Sequence, residues 1–187
     1  MMDEIKKIVE VLQAGGIILY PTDTVWGIGC DATNAEAVQK IYQLKQRSDS
    51  KSMLLLTDSM AKEQAYVTDV PDVVWDLVEC ADKPLTIIYP EGRNVATNLL
   101  ASDGSIGIRI TNETFSKQLC MRFKKPIVST SANVSGQPTP AFFDEISEEI
   151  KAGVDYIVQA RQDDREKKQP SSIIKFEKNG TFAIIRE

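Results

Sequence analysis

The chain contains no histidine among its 187 residues. This removes the commonest general base, the commonest metal ligand and every Ser-His or Cys-His nucleophile pair. Any chemistry must run on lysine, arginine, carboxylates, hydroxyls and a bound ion. Cysteine is scarce: Cys30, Cys80 and Cys120 are odd in number and widely spaced, with no Cys-x-x-Cys pair. That pattern suggests neither a disulfide framework nor a zinc site, and it fits a reducing compartment. No apolar stretch approaches the roughly 20 residues of a membrane helix, and the start, Met1-Met2-Asp3-Glu4, lacks a basic region followed by an apolar one. Positive charge is in deficit, 22 Lys and Arg against 27 Asp and Glu for a net charge of −5. Broad non-specific nucleic-acid binding needs the opposite balance. With 42% hydrophobic and 26% charged residues, the expectation is a soluble, cytoplasmic protein with one domain spanning residues 1–187.

Periodicity predicts helices over Asp3 to Gln13, stopped by Gly15-Gly16; from Asn34, with Ala35, Val38, Ile41 and Tyr42 inward; and over Met60 to Tyr66, Asp72 to Cys80, Glu113 to Phe123 and Phe142 to Lys151. Strands are predicted at IILY, MLLL, LTIIY, IGIRI, PIVST and DYIVQA, with a closing hairpin of SSIIKF and TFAIIRE around Lys178-Asn179-Gly180. Gln162 to Lys168 is a polar charge run, read as an exposed loop. Strands interleaved with helices indicate an α/β domain on a mixed sheet.

Four segments carry candidate chemistry. The first, YPTDTVWGIGCDA at residues 20–32, leaves a strand as a loop rich in hydroxyls and glycine. Its Gly27-Ile28-Gly29-Cys30-Asp31-Ala32 matches G-x-G-x-x-A, but six residues separate Tyr20 from Gly27. A dinucleotide fingerprint needs its first glycine in the turn between strand and helix, so the match is rejected. The segment is then either an ordinary loop, with Thr22 and Asp23 making local turn bonds, or a ligand-facing one. The second, LKQRSDSK at residues 44–51, sets Lys45, Arg47 and Lys51 at a helix end. Residues two apart on a helix diverge by about 200°, so Lys45 and Arg47 share a ligand only where the helix unwinds. These cations either complement the helix dipole or form an anion site suited to a polyphosphate, Arg47 supplying a planar fork and the lysines point charges.

The third segment, SIGIRI at residues 105–110, holds Arg109 inside an apolar strand. Period two lets it face either solvent or a cleft, where it would suit a carboxylate. The fourth, STSANVSG at residues 129–136, follows the apolar Pro126-Ile127-Val128. It reads as a turn-rich loop or as a binding surface beyond a strand end, where open α/β sheets take ligands. In extended chain Ser129, Ser131 and Asn133 project to one side.

In this order the segments resemble the YrdC-like family of threonylcarbamoyl-AMP synthases. The matching stretches are YPTDTVWGIGCDA, KQR with Lys51 four residues on, PLT at 84–86, IGIRI, STSANVSG and the terminal PSS…IIRE, together spanning Gly16 to Glu187. The resemblance implies a single-domain α/β fold with a twisted mixed sheet, flanking helices and a concave active-site face. It implies an enzyme that joins L-threonine, bicarbonate and ATP, with Mg²⁺, into threonylcarbamoyl-adenylate and pyrophosphate. Partner proteins would then carry the threonylcarbamoyl group to tRNA. By the same resemblance Thr24, Arg109, Ser129 and Ser172 contact threonine, and Arg47, Lys51, Ser105, Ser131, Asn133, Thr139 and Arg186 surround ATP. Lys45 and Arg47 are the implied catalytic cations, and no residue is implied as a metal ligand.

The chain departs from the family pattern at Lys51-Ser52, where Lys-Pro is common, at Leu54-Leu55-Leu56-Thr57, where a histidine is common, and at Asp82-Lys83-Pro84, where Pro-Gly-Pro is common. The terminal Pro-Ser-Thr reads Pro170-Ser171-Ser172. Two other readings remain: a non-catalytic YrdC-like paralogue that binds a nucleotide or RNA, double-stranded RNA included, and a carbamoyl-adenylate former that uses carbamoyl phosphate in place of threonine.

Overall fold

The computed structural model describes residues 1–47 and 53–187. Helix α1 (Met2–Gln13) buries Ile5, Ile8 and Leu12. Beyond it Gly15 takes a left-handed φ of 75°, its N–H donates to the Leu12 carbonyl and the Gly16 N–H to that of Val11, the paired bonds of a Schellman ending. Strands β1 (Ile18–Tyr20) and β2 (Gly27–Gly29) lead to α2 (Ala35–Leu44), whose first turn is capped by Asn34 accepting from the N–H groups of Glu36 and Ala37. Then come β3 (Leu54–Thr57), α3 (Met60–Glu63), α4 (Asp72–Glu79), β4 (Leu85–Tyr89), β5 (Ile106–Ile110), α5 (Thr114–Phe123) and β6 (Ile127–Ser131). The chain closes with α6 (Glu148–Ala152), β7 (Tyr156–Ile157), β8 (Ser172–Phe176) and β9 (Phe182–Arg186).

Among the described residues the nine strands form one mixed sheet in the order β7-β1-β2-β6-β3-β5-β4-β8-β9. Pairing is parallel at β1/β7, β3/β5 and β4/β8 and antiparallel elsewhere. Along β5, Ile106 and Ile108 are buried in the core, while Gly107 and Arg109 alternate to the other face. On β4, Ile87 and Tyr89 likewise enter the core and Thr86 and Ile88 face away from it. Helix α1 packs on α5, and α5 on β3. Among the described residues no helix is long and apolar enough to cross a membrane.

Three expectations change. β2 lies within the tract read as a loop: Gly-Ile-Gly has little intrinsic strand preference, and its place is set by packing. Ile28 is fully buried, and a Cβ added at Gly29 would lie 2.7 Å from both Tyr20 Cε1 and the Val128 carbonyl oxygen, so glycine is what lets β2 fit between β1 and β6. The helix expected over Phe142 to Lys151 divides into a 3-10 turn at Phe143–Glu145 and α6, because Ser147 turns outward and caps α6 through the Ile150 N–H. The helix expected to reach Tyr66 ends at Glu63.

Candidate active site

Two adjoining clefts lie on the sheet face away from the core. The larger, about 430 Å³, has Arg47, Ser105, Lys175 and Arg186 on its walls, with Thr86 and Gly107 among the strand residues that line it. The smaller, about 190 Å³, is lined by Thr22, Thr24, Arg109, Thr139 and Ser171 among others. Leu54, Ser129, Thr130, Ser131 and Arg186 line both, so the clefts meet along β6. Hydroxyls line both clefts; Arg47 and Lys175 belong to the larger alone and Arg109 to the smaller alone.

The end of α2 decides what Lys45 and Arg47 do. Gln46 takes a left-handed φ of 50°, the Gln46 N–H donates to the Gln43 carbonyl and the Arg47 N–H to that of Tyr42. This is a second Schellman ending, with glutamine where α1 uses glycine. The helix therefore unwinds between the two cations, and they part. Arg47 reaches the larger cleft, and burial holds its guanidinium below the usual arginine range. Lys45 is only 1% exposed. Its ammonium donates to the carbonyl of Ser131 and, at 2.6 Å, to that of Asn133. Burial, with Arg47 nearby, lowers its pKa to about 8. Lys45 thus sits behind the cleft wall and fastens the end of β6, while the Ser135 N–H returns a bond to the Lys45 carbonyl.

That fastening also decides the STSAN tract. Ser129 and Ser131 lie on β6 and line both clefts. The strand ends at Ser131, so the alternation stops before Asn133. The Asn133 amide turns back to donate to the carbonyls of Val134 and Gln137, leaving its Oδ1 buried without a hydrogen-bond partner among the described residues.

Arg109 is 3% exposed and lines the smaller cleft. Of the two orientations the sequence allows, tertiary structure selects the cleft. Its Nη2 lies 3.0 Å from Asp23 Oδ1 and 3.4 Å from Thr24 Oγ1, and its Nε has no hydrogen-bond partner among the described residues. The Thr22 hydroxyl donates to the Val25 carbonyl at 2.6 Å and accepts from the Thr24 N–H at 3.1 Å. With its proton committed, Thr22 takes the Thr24 hydroxyl as donor across 3.1 Å, which leaves Thr24 Oγ1 a lone pair for a ligand donor. Arg109 and Thr24 together offer donors for a carboxylate and an acceptor for an ammonium or hydroxyl.

Of the remaining expected residues, Ser105 lines the larger cleft, Thr139 the smaller and Arg186 both. Arg186 is oriented by Ser171, whose carbonyl accepts from its Nε at 2.7 Å. Ser171, not Ser172, faces the smaller cleft; the Ser172 N–H is engaged by the Pro84 carbonyl. Lys51 lies outside the described residues. The sequence reading passed over Lys175, although the signal was the one used for Arg109, a cation within an apolar strand. Its ammonium lies 3.3 Å from Asp103 and 3.5 Å from Glu177, and hydrogen bonding to Asp103 leads in holding its pKa up.

Comparison with known proteins gives relatives of similar length and one longer chain. Threonylcarbamoyl-AMP synthase of Pseudoalteromonas translucida is 36% identical over 150 residues, 79% of this chain and 80% of that protein. The crystal structure of E. coli YciO matches with a TM-score of 0.85 at 25% identity, covering 100% of this chain and 90% of that one. P. abyssi Sua5, crystallised with L-threonine, matches with a TM-score of 0.82 at 21% identity over 92% of this chain; the match spans 50% of that longer chain. A family model described as telomere recombination covers residues 10–187. The chain therefore belongs to the Sua5/YciO/YrdC family.

Proposed function

We propose that this protein is an L-threonylcarbamoyl-adenylate synthase acting in tRNA modification. The observation that carries the reading is the shared wall: Ser129 to Ser131 border a cationic cleft and a hydroxyl-lined one holding a buried arginine, so two ligands of those characters meet along one strand. Arg47, Lys175 and Arg186 suit a triphosphate, and Arg109 with Thr24 suits the carboxylate and amine of an amino acid.

The threonine amine combines with carbon dioxide from bicarbonate to give a carbamate, losing a proton. A carbamate oxygen attacks the α-phosphorus of ATP in line, the bond from that phosphorus to the β-bridging oxygen breaks, and pyrophosphate departs. No protein nucleophile is needed. The side chains hold carbamate and phosphate in line and spread positive charge over the transferring group. Among the described residues no group of three His, Cys, Asp or Glu side chains is placed to hold a metal ion. The facing groups are cations and hydroxyls, which fits Mg²⁺ arriving on the ATP phosphates, where it would neutralise phosphate charge.

The test is mass spectrometry of protein mixed with ATP, Mg²⁺, bicarbonate and threonine. The adenylate should form in the complete mixture and disappear when threonine is omitted. Formation of an adenylate from carbamoyl phosphate without threonine, or none from the complete mixture, would overturn the reading.

A further inference from the structure

The loop that carries Thr22 and Thr24 makes few regular backbone bonds, and two side chains from outside it take up successive carbonyls. The Ser116 hydroxyl lies 3.0 Å from the Pro21 carbonyl and 2.8 Å from Glu113 Oε2, with one proton for the two acceptors. Arg161 Nη1 donates to the Thr22 carbonyl at 3.1 Å. The same guanidinium lies 3.2 Å from Glu113 Oε1 and 2.8 Å from Asp164 Oδ2. One side chain thereby joins the β1–β2 loop, the start of α5 and the charged strap that follows β7. Arg161 also holds a left-handed φ of 63°, a backbone cost for a residue that is not glycine. The strap lies close on the loop: the gap between them, bordered by Thr22, Thr24, Trp26, Arg161 and Asp164, is about 20 Å³, space for roughly one water.

We propose that Arg161 is a positioning residue for the amino-acid side of the site, fixing the Thr22 carbonyl and through it the Thr22–Thr24 hydroxyl pair that faces the smaller cleft. Thr22 is the hinge of the arrangement. Its carbonyl is held by Arg161, and its hydroxyl sets the direction of the Thr24 hydroxyl. Releasing the carbonyl lets Thr22 turn, and Thr24 loses its fixed lone pair. Arg161 is not among the residues that line the larger cleft, so nucleotide binding should be insensitive to it. The inference rests on the reading of the smaller cleft as the amino-acid site.

The experiment compares wild type, Arg161→Ala and Arg161→Lys by titration calorimetry with L-threonine and with ATP, by pyrophosphate release, and by amide hydrogen exchange of the free proteins. Arg161→Ala should weaken threonine binding and raise its KM about tenfold, leave ATP within about twofold, and speed exchange of the Thr24 amide about tenfold relative to core amides. Arg161→Lys, which keeps one donor and the charge, should recover part of each loss; it also carries the test should the alanine variant not fold. Unchanged threonine affinity, or equal losses for threonine and ATP, would overturn the proposal. A wild type that binds no threonine would refute the amino-acid reading instead, and the Thr24 exchange rate would still decide whether Arg161 holds the loop.

Discussion

Glu63→Gln should abolish a pH dependence of stability built into the core. Glu63 is 1% exposed, and among the described residues its Oε2 has no hydrogen-bond partner, nor has the neighbouring Tyr89 hydroxyl. Burial pushes its pKa up from 4.5 to about 7. A folded-state value above the unfolded one means that the native protein holds the proton more tightly. The resulting stability is fully present below pH 4.5 and is lost as pH rises through about 7. At about 1.4 kcal/mol per pH unit the difference amounts to about 3 kcal/mol, or roughly 6–12 °C in Tm for a chain of this size. Urea unfolding followed by circular dichroism from pH 5 to 8 measures it. The wild type should lose about 2.5 kcal/mol more than Glu63→Gln across that range, because the amide does not titrate. Parallel profiles for the two proteins would refute the argument that Glu63 is charged only at a cost.

Lys45→Met should raise the KM for ATP by about tenfold or more, since two charge-assisted bonds of roughly 1.5–3 kcal/mol each hold the carbonyls of Ser131 and Asn133. Normal nucleotide affinity would show that the end of β6 holds itself. Asp23→Ala strips the buried Arg109 of its counter-ion and should cost about 3–5 kcal/mol in denaturant unfolding; a change under about 1 kcal/mol would contradict the ion pair's structural role. Arg47→Ala should abolish pyrophosphate release with native circular dichroism retained, and near-normal turnover would exclude Arg47 from the site. Gly29→Ala should destabilise by at least about 1–3 kcal/mol through overpacking, read as a drop in Tm; an unchanged Tm would mean that β1 and β6 yield easily around β2.

The sequence by itself determined what depends on neighbours along the chain. Gly15-Gly16 ended α1 and Asn34 started α2 where expected, since a left-handed residue and a side-chain oxygen act within one turn. The long apolar strands β4, β5 and β6 were legible for the same reason, as was the mixed α/β class, and the ordered motifs were sufficient to suggest the family. Tertiary structure decided whatever required a partner distant in sequence. β2 exists because β1 and β6 flank it, and Arg109 faces the cleft because the core claims Ile106 and Ile108 on the opposite side of its strand. Lys45 and Arg47 stand two residues apart yet serve different surfaces, because a left-handed Gln46 comes between them and two carbonyls 86 and 88 residues away capture the lysine. A charge pattern along the chain reports which groups are available, whereas the direction each one points is set by which acceptors the fold brings within about 3 Å of it.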